Sequence, residues 1–118
     1  MNSCIFCKII EKKIPATIVY ENDKVICIQD IHPQANIHTL VIPKLHLNTL
    51  EDAYPENGPS QNELLGHLMG IVVRVARLQG LLPGGFRTII NTGHDGGQTA
   101  FHLHVHVLGG GKLKEKMI

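Results

Sequence analysis

The chain has 118 residues, 43% hydrophobic and 18% charged, a globular composition whose length suits one domain over residues 1–118. Eleven basic and ten acidic side chains leave a formal net charge of +1, which argues against a nucleic-acid surface, and no apolar run approaches the ~20 residues that cross a membrane. Three cysteines, Cys4, Cys7 and Cys27, are too few for a disulfide scaffold, and Met1 to Lys8 lacks the pattern of a signal peptide, so a reducing cytoplasm is expected.

In chain order, Ile5, Phe6, Ile9 and Ile10 stand at helical spacing and predict a short helix from Cys4 to Lys12, ended by Ile14-Pro15. Thr17 to Glu21 and Val25 to Gln29 are β-branched and apolar runs around Asn22-Asp23, which reads as a hairpin. Asp30 to Asn36 is a loop, and His38 to Pro43 the next strand. Ser60, with Glu63 three residues on, predicts a capping box that opens a long helix. Its apolar stripe runs from Leu64 to Leu78, and Gly80 suits its C-terminal cap. Strands are expected from Phe86 to Asn91 and from His102 to Leu108, joined by the glycine-rich turn Thr92 to Gly97. The sum is an α+β domain on a mostly antiparallel five-stranded sheet, with one long and one short helix. A chain this small buries roughly two-thirds of its unfolded surface alone, so a dimer interface would be a natural supplement.

Histidine is the anomaly: eight are present, and His102, His104 and His106 alternate near the C-terminus. On a strand they would line one face, with Leu103, Val105 and Val107 on the other. Four chemistries compete for such a row: solvent decoration, a three-histidine metal site, a ligand grip without turnover, and nucleophilic catalysis. A straight strand spreads three ligands too far for a compact tetrahedron. A neutral imidazole is, by contrast, a ready nucleophile toward phosphorus at pH 7. Gly93 to Thr99 supplies glycines whose backbone admits an anion closely, and a hydroxyl.

His102-Leu-His104-Val-His106-Val-Leu108 resembles the His-x-His-x-His-x-x motif of the histidine-triad superfamily, most strongly its nucleotide-binding (Hint) branch. Cys4 to Ile10, Ile14-Pro15-Ala16, Asp30 to Ala35, His38 to Lys44, Leu65 to Met69, Asp95 to Gln98 and Val107 to Gly110 look like that branch too. The resemblance implies a homodimer whose sheets join across a two-fold axis, a purine nucleotide of the AMP type as ligand, and hydrolysis of adenosine 5'-phosphoramidates through a nucleotidyl-histidine intermediate. Aminoacyl adenylates are a further substrate of some such proteins. By position it makes His104 the nucleophile, places His106 against the α-phosphate, and gives His38 the support of the nucleophile, with His102 completing the catalytic set. Asn91, Gly97 and Gln98 would hold phosphate, Thr99 would stand near the leaving group, and Asp30 would accept the ribose hydroxyls beside Ile31. Phe6, Ile9, Ile14 and Leu40 would form the slot for the base. His32, His67 and His94 receive no role.

Cys4-x-x-Cys7 has the spacing of half a zinc site. The resemblance supplies the other half as His46 and His102, and leaves two states open: a structural zinc, or two reduced thiols, with no cofactor required for catalysis in either. Cys27 reads as a core residue. The tail from Gly111 to Ile118 departs from the aromatic, proline-bearing tail of animal relatives, which bears on substrate choice. Two further functions stay open. One is a dinucleoside polyphosphate hydrolase or nucleotidyl transferase; the other is a nucleotide sensor or partner-binding protein without turnover.

Overall fold

The structure is a computed structural model in which residues 3–115 are described. Five strands form one antiparallel sheet in the order β1-β2-β3-β5-β4. The elements are α1 (Ile5–Ile10), β1 (Ile18–Glu21), β2 (Val25–Gln29), β3 (Ile37–Pro43), α2 (Asn62–Leu78), β4 (Arg87–Ile89) and β5 (Val105–Gly109), with a 3₁₀ turn at Leu50–Ala53. This is the expected α+β architecture of one long and one short helix on a five-stranded antiparallel sheet.

The central strands are buried on both faces, and the period of two divides their side chains between two cores. Val25, Cys27, Val41, Val105 and Val107 pack with Leu68, Val72 and Val75 of α2. Ile26, Ile28, Leu40 and Ile42 pack with Phe6 and Ile9 of α1 on the opposite face. Burial of Cys27 pushes its thiol up to about 12, so it behaves as an apolar filler. Because α1 is only six residues long, it covers part of its face and stops, and His38, His104 and His106 project from the same face beside it.

Both helices end alike. Past α2, Gly80 at φ +74° donates its N–H to the Arg77 carbonyl and Leu81 donates to Ala76, a Schellman closure in the place expected for Gly80. Past α1, Lys12 takes the same role at φ +63°, donating to Ile9 while Lys13 donates to Lys8. The helix thus stops before Ile14-Pro15, and Lys12 is held in place by Glu21, which also pairs with Lys44.

Several boundaries differ from the expectation: α1 spans Ile5–Ile10 and not Cys4 to Lys12, β4 spans Arg87–Ile89 and not Phe86 to Asn91, and two more shifts have a tertiary cause. The long helix opens at Asn62 with Gln61 as its cap and no side-chain cap bond, so Ser60 and Glu63 form no capping box. The Gln61 N–H is held by the Ala53 carbonyl, and that tertiary tie sets the entry of the chain. The last strand begins at Val105 instead of His102, because Leu103 donates its N–H to the Leu47 carbonyl outside the ladder. The alternation survives nonetheless: Leu103 faces the α2 core and the neighbouring histidines face away from it.

Candidate active site

The β3–β5 register sets Leu40 opposite His106 and His38 opposite Leu108, making His38 and His106 diagonal neighbours on one face. Their rings meet with Nε2 of His38 2.9 Å from Nδ1 of His106. Nδ1 of His38 accepts the Gln34 N–H at 3.0 Å, so neutral His38 carries its proton on Nε2 and donates it to His106, with Oδ2 of Asp30 3.4 Å away. Burial holds both imidazoles below their usual range, His106 at about 4, and the neighbouring histidines add to the effect while Asp30 opposes it. Both are therefore neutral at pH 7.

His104 sits between this pair and α1. Its ring lies 5.0 Å from that of His106 and 5.1 Å from that of Phe6, which meets it edge-on. Its Nδ1 is 2.7 Å from the His102 carbonyl oxygen, which only accepts, so Nδ1 carries the proton and Nε2 keeps its lone pair. That is the tautomer a nucleophile needs. Support for His104 thus comes from a backbone carbonyl, whereas the hydrogen bond expected from His38 goes to His106, because the register places those two rings together.

His102 also departs from the expectation of a catalytic side chain. It is fully buried, and its Nε2–H donates to the Pro43 carbonyl at 2.8 Å. Its Nδ1 faces the sulfurs of Cys4 and Cys7 at 3.3 and 3.6 Å. The residue contributes its carbonyl to the histidine row and its ring to the cysteine pair.

The glycine-rich turn is held from within. Gly93 and Gly97 have φ of +71° and +80°, and a Cβ on Gly96 would stand 2.3 Å from the Thr92 carbonyl oxygen. Buried Gln98 accepts the Gly93 N–H and donates to the Asn48 and Ala100 carbonyls, so its amide braces the turn and is not free for phosphate. The Gly97 N–H, expected to meet phosphate, donates to His94 in the turn. Asn91 donates to the Gly96 carbonyl, while Thr99 is exposed.

Across the histidine row, Phe6, Ile9, Ile14 and Leu40 do converge in the α1 core, and Ile31, 82% exposed, stands in the loop after Asp30. Asp30 anchors that loop by accepting the His32 N–H on Oδ1. His67, given no role, pairs with Asn22 on the surface.

Cys4, Cys7, His46 and His102 come together, their four candidate ligand atoms within 4.8 Å of one another. Nδ1 of His46 lies 3.2 Å from the Cys7 sulfur, and its Nε2 donates to Oδ1 of Asn48 at 2.7 Å. Each histidine therefore directs Nδ1 inward and anchors the opposite nitrogen, which fixes its ring in the orientation an imidazole ligand takes. The donor set fits a tetrahedral zinc. Sequence reasoning missed the groups that orient these rings: the Gln34 N–H, the Pro43 and His102 carbonyls and the Asn48 amide. Three of the four are backbone groups placed by the fold, and no side-chain pattern marks them.

A five-stranded sheet flanked by two helices, with an alternating histidine row beside a glycine turn, defines the histidine-triad class. The family model described as "Scavenger mRNA decapping enzyme C-term binding" matches residues 3–117. The protein HitA of Neisseria gonorrhoeae is 50% identical over 109 residues, which is 92% of this chain and 97% of that protein. Purine nucleoside phosphoramidase of Escherichia coli is 39% identical over 109 residues, or 92% of this chain and 88% of that enzyme. A histidine-triad family hydrolase from Clostridium thermocellum superposes with a TM-score of 0.89 at 40% identity, covering 100% of this chain and 99% of that one. The chain belongs to the histidine-triad family of hydrolases.

Proposed function

We propose that the chain binds a purine nucleotide and hydrolyses the P–N bond of adenosine 5'-phosphoramidates, with aminoacyl adenylates as a related substrate. The observation that carries this reading is the 2.7 Å bond from His104 Nδ1 to the His102 carbonyl, which presents Nε2 as a lone pair. Nε2 attacks the α-phosphorus, an N–P bond forms, and the P–N bond to the amine breaks as the amine takes up a proton. Water then cleaves the N–P bond, releasing AMP and restoring His104. The positive charge on the intermediate imidazolium is held by the same carbonyl. His106 faces the phosphate with His38 behind it, Asn91 and Thr99 serve the phosphate and leaving-group side, and Asp30 with Ile31 takes the ribose. Phe6, Ile9, Ile14 and Leu40 hold the base. The kinship to a purine nucleoside phosphoramidase supports the substrate class.

The test follows AMP release from an adenosine phosphoramidate by the wild type and His104→Ala. Wild-type turnover with a loss of several orders of magnitude in the variant is expected. A wild type that binds AMP yet releases none from such a substrate would favour a sensor. A faster rate on a dinucleoside polyphosphate would favour the other hydrolase.

We also infer a structural zinc on Cys4, Cys7, His46 and His102. It would tie α1 to the segments after β3 and before β5. Metal analysis of the purified chain should find about one zinc per chain, and Cys7→Ser should lose it and lower the melting temperature. A metal-free wild type indifferent to chelators would refute the site. A homodimer is part of the same proposal, supported by β4 being an edge strand of the sheet and by the exposure of Leu78 and Leu82.

A further inference from the structure

A cleft lies on the side of the histidine row away from α1. It has a volume of about 640 Å³; His38, His106 and Asn91 form one part of its lining, and Arg87, Lys112 and Lys114 another. Among the described residues no carboxylate lines it, so three permanent cations gather there on a chain whose net charge is +1. The tail that brings two of them is fixed at both ends of its course. Asn36 Nδ2 donates to the Gly110 carbonyl at 2.7 Å, and Arg87 Nη2 donates to the Lys114 carbonyl at 2.7 Å. Gly110 and Gly111, at φ +89° and +142°, turn the chain between β5 and this seat, and a Cβ on Gly110 would come within 3.0 Å of Asn36.

The ring contacts give the order Phe6, His104, His106, cleft. A phosphoryl group over His104 and His106, with its nucleoside toward Phe6, directs its remaining substituent toward the cations. We propose that this cleft is the leaving-group subsite and that it selects phosphoramidates whose amine portion carries an anionic group, a carboxylate or a phosphate. The proposal rests on the phosphoramidase reading given above. A concave surface lined by one sign of charge raises the local concentration of the opposite sign, and exposed lysines act through that field more than through fixed ion pairs.

The experiment uses the full chain and three adenosine 5'-phosphoramidates of equal linker length, ending in a methyl, a carboxylate or a phosphate. The anionic pair should show kcat/KM roughly five- to tenfold above the neutral compound at low salt, the margin shrinking in about 0.5 M salt. The better of the two anions identifies the source. In the variant Lys112→Gln/Lys114→Gln the ratio should fall to about 1. Equal rates in the wild type, or a preference that persists in the variant, would overturn the proposal. Binding of the same compounds to His104→Ala, measured by calorimetry, keeps the question separate from turnover. A roughly fivefold tighter anionic ligand there supports the subsite even if no compound is hydrolysed, an outcome that would instead defeat the phosphoramidase reading. Equal binding of all three, with the neutral compound hydrolysed by the wild type, defeats the subsite alone.

Discussion

Single residues decide the chemistry through the atoms they cannot rearrange. A carbonyl oxygen cannot donate, so the His102 carbonyl dictates which nitrogen of His104 carries the proton. The Gln34 N–H does the same for His38, which then donates to His106. Replacing His38 by Ala removes that donor while leaving the base slot intact. The expected result is a fall in kcat of about tenfold or more with little change in KM; unchanged kcat would remove His38 from the machinery. Gly96 shows the steric counterpart. A Cβ there meets backbone 2.3 Å away, so the turn itself must move. Gly96→Ala should lower stability by about 1–3 kcal/mol and reduce turnover, read from a denaturation curve and a rate assay.

Secondary-structure elements were legible where a repeat was long or a strand was buried on both faces. The stripe from Leu64 to Leu78 predicted α2, and the unbroken run from Val25 predicted β2 with the bounds observed. The ends escaped because tertiary bonds set them: the Ala53 carbonyl holds the Gln61 N–H, and the Leu47 carbonyl draws Leu103 out of the ladder. Leu68 is fully buried on α2 against the sheet. Leu68→Ala should therefore cost about 2–5 kcal/mol in urea denaturation, and a cost under ~1 kcal/mol would mean the site collapses around the cavity.

The whole molecule links its site to its stability through pH. His106 titrates at about 4 in the folded chain, against the usual 6.5, chiefly because it is buried, and His38 and His102 are lowered for the same leading reason. Below pH 6.5 the unfolded chain takes up protons that the folded His106 accepts only near pH 4, so acid favours unfolding. The stability His106 confers is present above pH 6.5 and lost as the pH falls toward 4. Melting followed by circular dichroism should show a falling midpoint across that window and a shallower fall in His106→Asn. A midpoint independent of pH there would contradict the burial argument.

By itself, the order of residues determined the element types, the two-faced alternation of the last strand, the histidine row, and the meeting of Cys4-x-x-Cys7 with His46 and His102 expected from the resemblance. These are properties of composition and short spacing, which act locally or carry a family's stamp. Only the tertiary structure decided which partner each imidazole finds, that the Gln98 amide turns inward, and that the lysines of the tail share a cleft with His38 and His106. The physical reason is one of range. A side-chain period fixes the face on which a residue lies, but a tautomer, a shared proton or a pooled charge depends on atoms tens of residues away, and their approach is set by register and packing.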